Sequence, residues 1–460
     1  MGNSVPYQES SRLDPRFEKF QRKITICASG GKLCDGWILA VIGVALPLTS
    51  TGLDISPTME GLIGSASLIG LFIGGLLFGW VTDKLGRQKM FLATLAAFLV
   101  CSLLQFFVTD PGQLFVLRVI LGLAVGADYA IAGAFIAEFN SKERRGPGLA
   151  GLLVWWYIGF TVAATLSIIL ISVMPDQPGL WRIILASSFL PALVMLVLRI
   201  GLPESPRWLA SKGRVKEANA IAEQYLDPVT RQDLFKEKVR SLGYSALFSS
   251  QYIKKTALTS IFWMAQITPF FAIYIFLPKI LQDLHFSSES SWGEIVLYIF
   301  LLIGCLVGVA LINRLGRRKL LIYTFIGQAV PLLVLGVWFN DHPAFLVLLC
   351  FVVFAFSHAA GSTLQMLYPS EIFPTEIRAT GVGFAAGMSR LGAAAGTFLL
   401  PIGLALWGTG PVMLIGGIVS LIGLLVSYAW APETKDMELS QTVSAEVASR
   451  HQPDKAQSQA

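Results

Sequence analysis

The sequence predicts an all-α membrane protein: twelve transmembrane helices in two pseudo-symmetric six-helix bundles around a central cavity. Three observations carry this. First, the 460 residues are 54% hydrophobic and only 14% charged, with a mean hydropathy of +0.65. A soluble domain carries about 25% charged residues, so this chain lacks the charge to cover itself in water. Second, it holds twelve apolar runs of the ~20 residues that a bilayer demands. Third, several motifs recur half a chain apart.

The runs fall at 24–48, 59–82, 90–109, 112–139, 149–173, 181–199, 256–281, 293–313, 320–339, 343–367, 381–405 and 411–430. Residues 1–23 are a polar, charged segment without the apolar core or cleavage site of a signal peptide, so the N-terminus is expected to stay where it is made. Residues 24–199 form the first bundle. A linker, 200–255, is polar and rich in both charges. Within it, Val215, Ala218, Ile221, Ala222 and Tyr225 recur at helical spacing, which predicts a surface helix over Arg214–Leu226. Residues 256–430 form the second bundle, and 431–460 a polar tail.

The basic residues set the orientation. Of the 35 Lys and Arg, Arg182 and Lys279 fall on the side opposite the N-terminus, and Lys32, Arg118 and Arg390 fall inside spans. All the others lie on the N-terminal side, in loops such as Lys84–Lys89 and Arg314–Lys319. Cytoplasmic loops carry the positive excess, so both termini are expected in the cytoplasm. The same pattern accounts for the net charge of +6 and argues against nucleic acid as a partner. Cys27, Cys34, Cys101, Cys305 and Cys350 sit in apolar runs without metal-ligand spacing and read as small buried hydrophobes. No metal or cofactor is expected.

The repeat has three parts. Asp83-Lys-Leu-Gly-Arg-Gln-Lys89 returns as Asn313-Arg-Leu-Gly-Arg-Arg-Lys319. Ala137-Glu-Phe ending in Arg144-Arg145-Gly146 returns as Ser370-Glu-Ile ending in Arg378-Ala-Thr-Gly381. Pro203-Glu204-Ser205 returns as Pro432-Glu433-Thr434. Each offset is about 230 residues, half the chain, and duplicated halves with a site between them are a transporter architecture. Gly86 and Gly316 permit tight turns between consecutive spans. Arg87, Arg317 and Arg318 are placed to pair with Glu138, Glu204, Glu371 and Glu433 at the ends of other helices.

On these residues the chain resembles the major facilitator superfamily, nearest its sugar-porter and metabolite:proton symporter branches. The resemblance covers residues 20–435. It adds Arg118-x-x-x-Gly122-x-x-x-Gly126, Pro203-Glu-Ser-Pro-Arg-Trp-Leu209 and Tyr368-Pro-Ser-Glu-Ile-Phe-Pro-Thr-Glu-Ile-Arg378 to the motifs above. It implies a monomeric, multi-pass plasma-membrane protein, of a bacterial inner membrane, whose partners are a small-molecule substrate, protons and the lipid bilayer. It also implies that Asp83, Arg87, Glu138, Arg145, Glu204, Arg317, Arg318, Glu371, Arg378 and Glu433 form a cytoplasmic gate that latches the halves when the site faces outward.

A charge at the bilayer centre costs ~2.5–3.5 kcal/mol even on a lenient scale, so intramembrane charges face a cavity and a partner. Asp35 lies about 19 Å from the cytoplasmic face, and Arg118 at similar depth, about 21 Å. In proton-coupled relatives an acid of span one and an arginine of span four form the coupling pair, and these positions match. A carboxyl whose surroundings alternate takes a proton on one side and releases it on the other. The alternative is a static ion pair. Lys32 shares a helix face with Asp35 and either competes with Arg118 or snorkels. Asp128, with Tyr129, lies nearer the cytoplasm, and either relays the proton or stabilises the inner gate.

Arg390, near the midplane of span eleven, is suited to hold a carboxylate by two parallel hydrogen bonds; the alternative is a structural pair with Glu371. Gln266, Tyr274, His358 and Gln365 are polar candidates for the cavity or simply interhelical contacts. Among Trp155, Trp156 and Tyr157, Trp156 is the candidate to stack on a substrate ring. Sugar porters carry paired glutamines and an asparagine in span seven, where Ala265-Gln-Ile-Thr-Pro-Phe-Phe-Ala272 offers one glutamine. Their span ten carries Gly-Pro and a tryptophan, which Ser357-His-Ala-Ala-Gly-Ser-Thr-Leu-Gln365 lacks. The favoured reading is therefore a secondary active transporter working by alternating access, a proton-coupled symporter of a small organic carboxylate. The alternatives are a sugar or polyol:proton symporter, an uncoupled facilitator and, last, a transporter-like receptor. No catalytic motif suggests an enzyme.

Overall fold

The computed structural model describes residues 15–140, 142–228, 231, 243–284, 291–338, 343–374 and 376–435, without the side chains of 130, 142–147, 150, 291 and 379. Twelve of its helices are long and apolar enough to cross a membrane. Spans one to six are Pro15–Leu53, Pro57–Leu85, Arg87–Phe107, Pro111–Phe139, Gly151–Val173 and Leu180–Arg199. Spans seven to twelve are Ile253–Ile275, Trp292–Leu315, Arg317–Val337, Ala344–Ile372, Thr380–Trp407 and Thr409–Trp430. Each overlaps one predicted run. The surface helix occupies Val215–Tyr225 and buries Ala218 and Ala222.

Three spans are broken where the apolar runs are continuous. Span seven ends at Ile275, Phe276 leaves helical geometry at φ −113° and ψ 16°, and a short helix, Leu277–Asp283, follows. Span six divides into Leu180–Ala186 and Phe189–Arg199. Span ten divides at Thr363 into Ala344–Ser362 and Leu364–Ile372. Helix starts follow local chemistry. Ser56 accepts from Met59 N with Pro57 in the first turn, and Asp110 accepts from Gly112 N and Gln113 N with Pro111 following. Each such oxygen satisfies an amide that the helix itself leaves unpaired. Gly86 (φ 106°) and Gly316 (φ 83°) make the turns into spans three and nine, a backbone region costly for any residue with a Cβ.

Small residues bring helices together, as lipid-embedded bundles require. A methyl group on Gly122 would stand 2.1 Å from Ser67 O, and one on Gly70 2.2 Å from Val119 O, so spans two and four touch backbone to backbone. Spans eight and ten repeat the contact: methyls on Gly304 and Gly308 would stand 2.4 Å from Phe356 O and 2.5 Å from Ala360 O. The duplication in sequence is thus a duplication of packing.

The two bundles meet on the side away from the basic loops. There, methyls on Gly43 and Gly61 would stand 2.8 Å from Tyr274 O and 2.3 Å from Phe398 O. At mid-depth the approach relaxes, with Phe72 3.6 Å from a methyl on Gly387. Toward the basic side, a methyl on Gly75 or Gly79 of span two, Gly133 of span four or Gly383 of span eleven would meet no described atom within 4 Å. The halves therefore close at one end and splay at the other.

An ion pair crosses the closed end: Lys279 Nζ of the short helix lies 3.0 Å from Glu60 Oε2 of span two. A partly exposed pair contributes up to about 1 kcal/mol. Glu60→Gln is expected to speed modification of a Thr397→Cys probe about two- to fivefold by an impermeant maleimide added from that side. An unchanged rate would show that the pair does not hold the closure.

Candidate functional site

Two buried ion pairs, Lys32 with Asp35 and Arg199 with Asp128, occupy the first bundle beside a further buried charge, Arg118. Asp35 is fully buried, and its Oδ2 accepts from Lys32 Nζ at 2.8 Å; among the described residues its Oδ1 has no hydrogen-bond partner. Asp128 of span four accepts from Arg199 Nη1 at 2.8 Å, with neither side chain exposed. Arg199 also donates to Cys27 O and Phe91 O and lies over the Phe91 ring. It thereby ties spans one, three, four and six together.

This arrangement corrects two expectations. Asp35 is not paired with Arg118. Arg118 Nη1 donates to Ile38 O at 2.9 Å, one turn beyond Asp35, and its Nε and Nη2 have no partner among the described residues. The reason is proximity. Lys32, three residues away on the same helical face, reaches the carboxylate without crossing between helices. Arg199, counted from sequence only among the basic residues of the N-terminal side, is instead wholly buried. The signal that pointed to it was Asp128, an intramembrane acid in need of a cation.

Arg390 lies between the bundles. Its Cζ stands 5.5 Å from the ring centroid of Tyr129 in span four and 5.9 Å from that of Phe271 in span seven. Only 7% of the residue is exposed, yet among the described residues it makes no hydrogen bond or ion pair. Glu371, the suggested structural partner, is taken by Arg317 and Thr434. Tyr157 lies within electrostatic reach of both Arg390 and Tyr129, and its hydroxyl crosses the halves to Ser362 Oγ at 3.1 Å.

The remaining candidates gather around spans seven and ten. Gln365 Nε2 donates to Gln266 Oε1 at 2.8 Å, leaving Gln266 Nε2 without a partner among the described residues. The His358 ring stacks on Phe270 at 4.0 Å and its Nδ1 meets Gln328 Oε1 at 3.4 Å. Tyr274 is buried among Phe160, Phe270, Tyr298 and Phe354, toward the closed end. Trp156 stacks on Phe160 at 5.0 Å and stands 6.4 Å from Phe271, with its Nε1 unused among the described residues. Trp155 points outward, 41% exposed.

The loop charges pair within each half. Glu138 takes Arg87 and the Ser205 hydroxyl, while Glu204 accepts from Arg87 N and Gln88 N, capping span three. In the second half Glu371 takes Arg317 at 2.9 Å and Thr434 Oγ1 at 2.5 Å, and Glu433 accepts from Arg317 N and Arg318 N. The Arg318 guanidinium donates to Tyr428 O, and Arg378 Nε to Phe373 O. Asp83 accepts from Trp208 Nε1 through its backbone carbonyl. The Arg145 side chain lies outside the described residues. Each of these contacts stays inside one half: with the basic side splayed, each set fastens its own bundle.

Duplicated bundles that close at one end and open at the other are the architecture of a secondary transporter. The chain belongs to the family described as "Sugar (and other) transporter", whose model matches residues 24–444. It is 39% identical to the putative metabolite transport protein YaaU of Escherichia coli, over 93% of this chain and 96% of that one. It is also 39% identical to the inner membrane metabolite transport protein YgcS of the same organism, over 93% and 94%. Among solved structures, the inward open conformation of the xylose transporter XylE from E. coli superposes with a TM-score of 0.77. That match has 20% identity and covers 92% of this chain and 99% of that one. The resemblance to the major facilitator superfamily therefore holds in family and in fold, and the chain is a multi-pass membrane transporter.

Proposed function

We propose that this transporter is a proton-coupled symporter of a small, flat organic carboxylate in a bacterial inner membrane, with its basic side in the cytoplasm. The observation that carries this is Arg390, a nearly buried guanidinium between the halves with aromatic faces beside it and no acceptor among the described residues. Its hydrogen-bond donors are unused among the described residues, and the rings satisfy the cation only in part. A ligand carboxylate supplies the missing acceptors in the forked geometry that arginine favours. Trp156, whose ring stands 6.4 Å from the Phe271 ring that Arg390 also faces, adds an Nε1 donor unused among the described residues. Asp35 is the coupling carboxyl of this reading, with Lys32 as its cation and Arg118 close by on Ile38.

A second reading, a neutral sugar or polyol as substrate, is favoured by the family description and by the xylose of the solved neighbour's name. A thermal-shift series on purified protein separates the two. The ligands are nicotinate and benzoate, their neutral amides, xylose and myo-inositol, each against wild type and Arg390→Gln. A carboxylate at a hundred times its dissociation constant is expected to stabilise wild type by about 2.7 kcal/mol, its amide not at all, and the gain should vanish in Arg390→Gln. Stabilisation by xylose or myo-inositol that survives Arg390→Gln would establish the sugar reading instead.

A further inference from the structure

We propose that Lys32 is a second cation for the substrate carboxylate, held in reserve by Asp35 and released to the substrate when Asp35 takes a proton. This rests on the carboxylate reading above and names a residue and an order of events that the reading does not require.

The geometry begins at Tyr129. Lys32 Nζ stands 2.9 Å from the centroid of its ring, and Arg390 Cζ stands 5.5 Å from the same centroid. The two cations, one from each half, are thus at most 8.4 Å apart, the sum of those distances. A carboxylate accepting charge-assisted hydrogen bonds of about 2.8 Å from each bridges a gap of that order. Lys32 keeps 5% exposure while Asp35 has none, so the pair is reached from the ammonium's side. Asp35 Oδ1 is without a partner among the described residues and is free to take a proton.

The surrounding charges leave Lys32 as the group able to change partner. From span four, Asp128 is locked to Arg199 of span six, and Arg118 is tied to Ile38 O. Tyr129 lies under Lys32, Tyr157 of span five lies near Tyr129 and Arg390, and Arg390 comes from span eleven. Lys32, Asp35, Asp128 and Arg199 together are neutral. One proton from the outer aqueous phase converts the Asp35 carboxylate to the acid and its contact with Lys32 loses its charge. The freed ammonium and Arg390 are then two cations at the same Tyr129 ring, and a monovalent carboxylate neutralises the added charge. Departure of the anion and loss of the proton on the basic side restore the Lys32–Asp35 pair, so the cycle moves one proton and one anion with no net charge. By linkage, proton and anion each strengthen the binding of the other by the same factor.

Calorimetric titration of nicotinate and benzoate into protein in nanodiscs, from pH 5.5 to 8.5, tests this. Wild-type affinity is expected to fall about tenfold per pH unit on the alkaline side, one proton per anion. Asp35→Asn, with Lys32 permanently released, should bind independently of pH and at least tenfold tighter than wild type at pH 8.5. Lys32→Gln leaves a buried carboxylate without its cation, so the neutral double variant K32Q/D35N serves beside it; it should bind at least tenfold more weakly than Asp35→Asn. Equal affinity of the double variant and Asp35→Asn would overturn the role of Lys32, even if binding still depends on Arg390 and the carboxylate reading stands. Failure of both carboxylates to bind any form would overturn the two together.

Discussion

Replacing Arg199 by glutamine is expected to destabilise the protein by about 3–5 kcal/mol, the cost of leaving one member of a buried ion pair alone. The guanidinium holds Asp128 Oδ1 at 2.8 Å, Phe91 O at 2.8 Å and Cys27 O through two nitrogens at 3.2 and 3.1 Å. Glutamine cannot span these acceptors on three other spans, and Asp128 would remain fully buried with neither oxygen matched to a cation. Thermal unfolding in detergent, followed by the monodisperse fraction, reads the loss. Asp128→Asn with Arg199→Gln should cost much less than the two single changes added together, because contacting partners are not additive. Additive losses would show that the two side chains do not act as a pair. The backbone is shaped around the same contact. A methyl on Gly31 would stand 2.1 Å from Arg199 Nη2 and 2.5 Å from Asp128 Oδ2, so span one passes the pair at a glycine.

The spans were legible because crossing lipid imposes a length and an apolarity that a run of residues displays directly. The turns at Gly86 and Gly316 were legible for a similar reason, since a positive φ selects glycine. The breaks at Phe276 and Thr363 were not, because hydropathy is blind to a helix that changes direction while staying apolar. The charged site was read halfway. Depth follows from 1.5 Å per residue, so Asp35 and Arg118 were placed at one level. Partner choice depends on azimuth and on which helices touch, and there Lys32 displaced Arg118 and Arg199 claimed Asp128. The loop acids and bases were recognised as partners because both kinds recur in both halves. That Glu138 and Glu371 would each be satisfied inside a single bundle depends on how far the halves splay, which no local motif records.

Asp35→Asn is expected to abolish accumulation against a gradient while leaving exchange of bound substrate intact. For one proton carried per substrate, one pH unit across the membrane supports about tenfold accumulation, since 1.4 kcal/mol is a factor of ten. Asparagine is isosteric but carries no titratable proton, so the concentration ratio should relax to one whatever the pH difference. The substitution leaves Lys32 without its carboxylate, but the Tyr129 face remains beneath it, so the site stays able to bind and to turn over in both directions. Proteoliposomes with an acid exterior and labelled nicotinate measure accumulation, and preloading with unlabelled nicotinate measures exchange. Accumulation that persists in Asp35→Asn would move the coupling elsewhere, and wild type without any dependence on the pH difference would be an uncoupled facilitator. Asp128 is the nearest rival for the proton, and its environment separates the roles. It is neutralised by Arg199, which is itself fixed to Cys27 O and Phe91 O, so protonation there would strand a buried guanidinium. Asp35 is neutralised by a lysine with a second cation-accepting surface within reach, and it is the carboxyl that can lose its charge without leaving its partner without support.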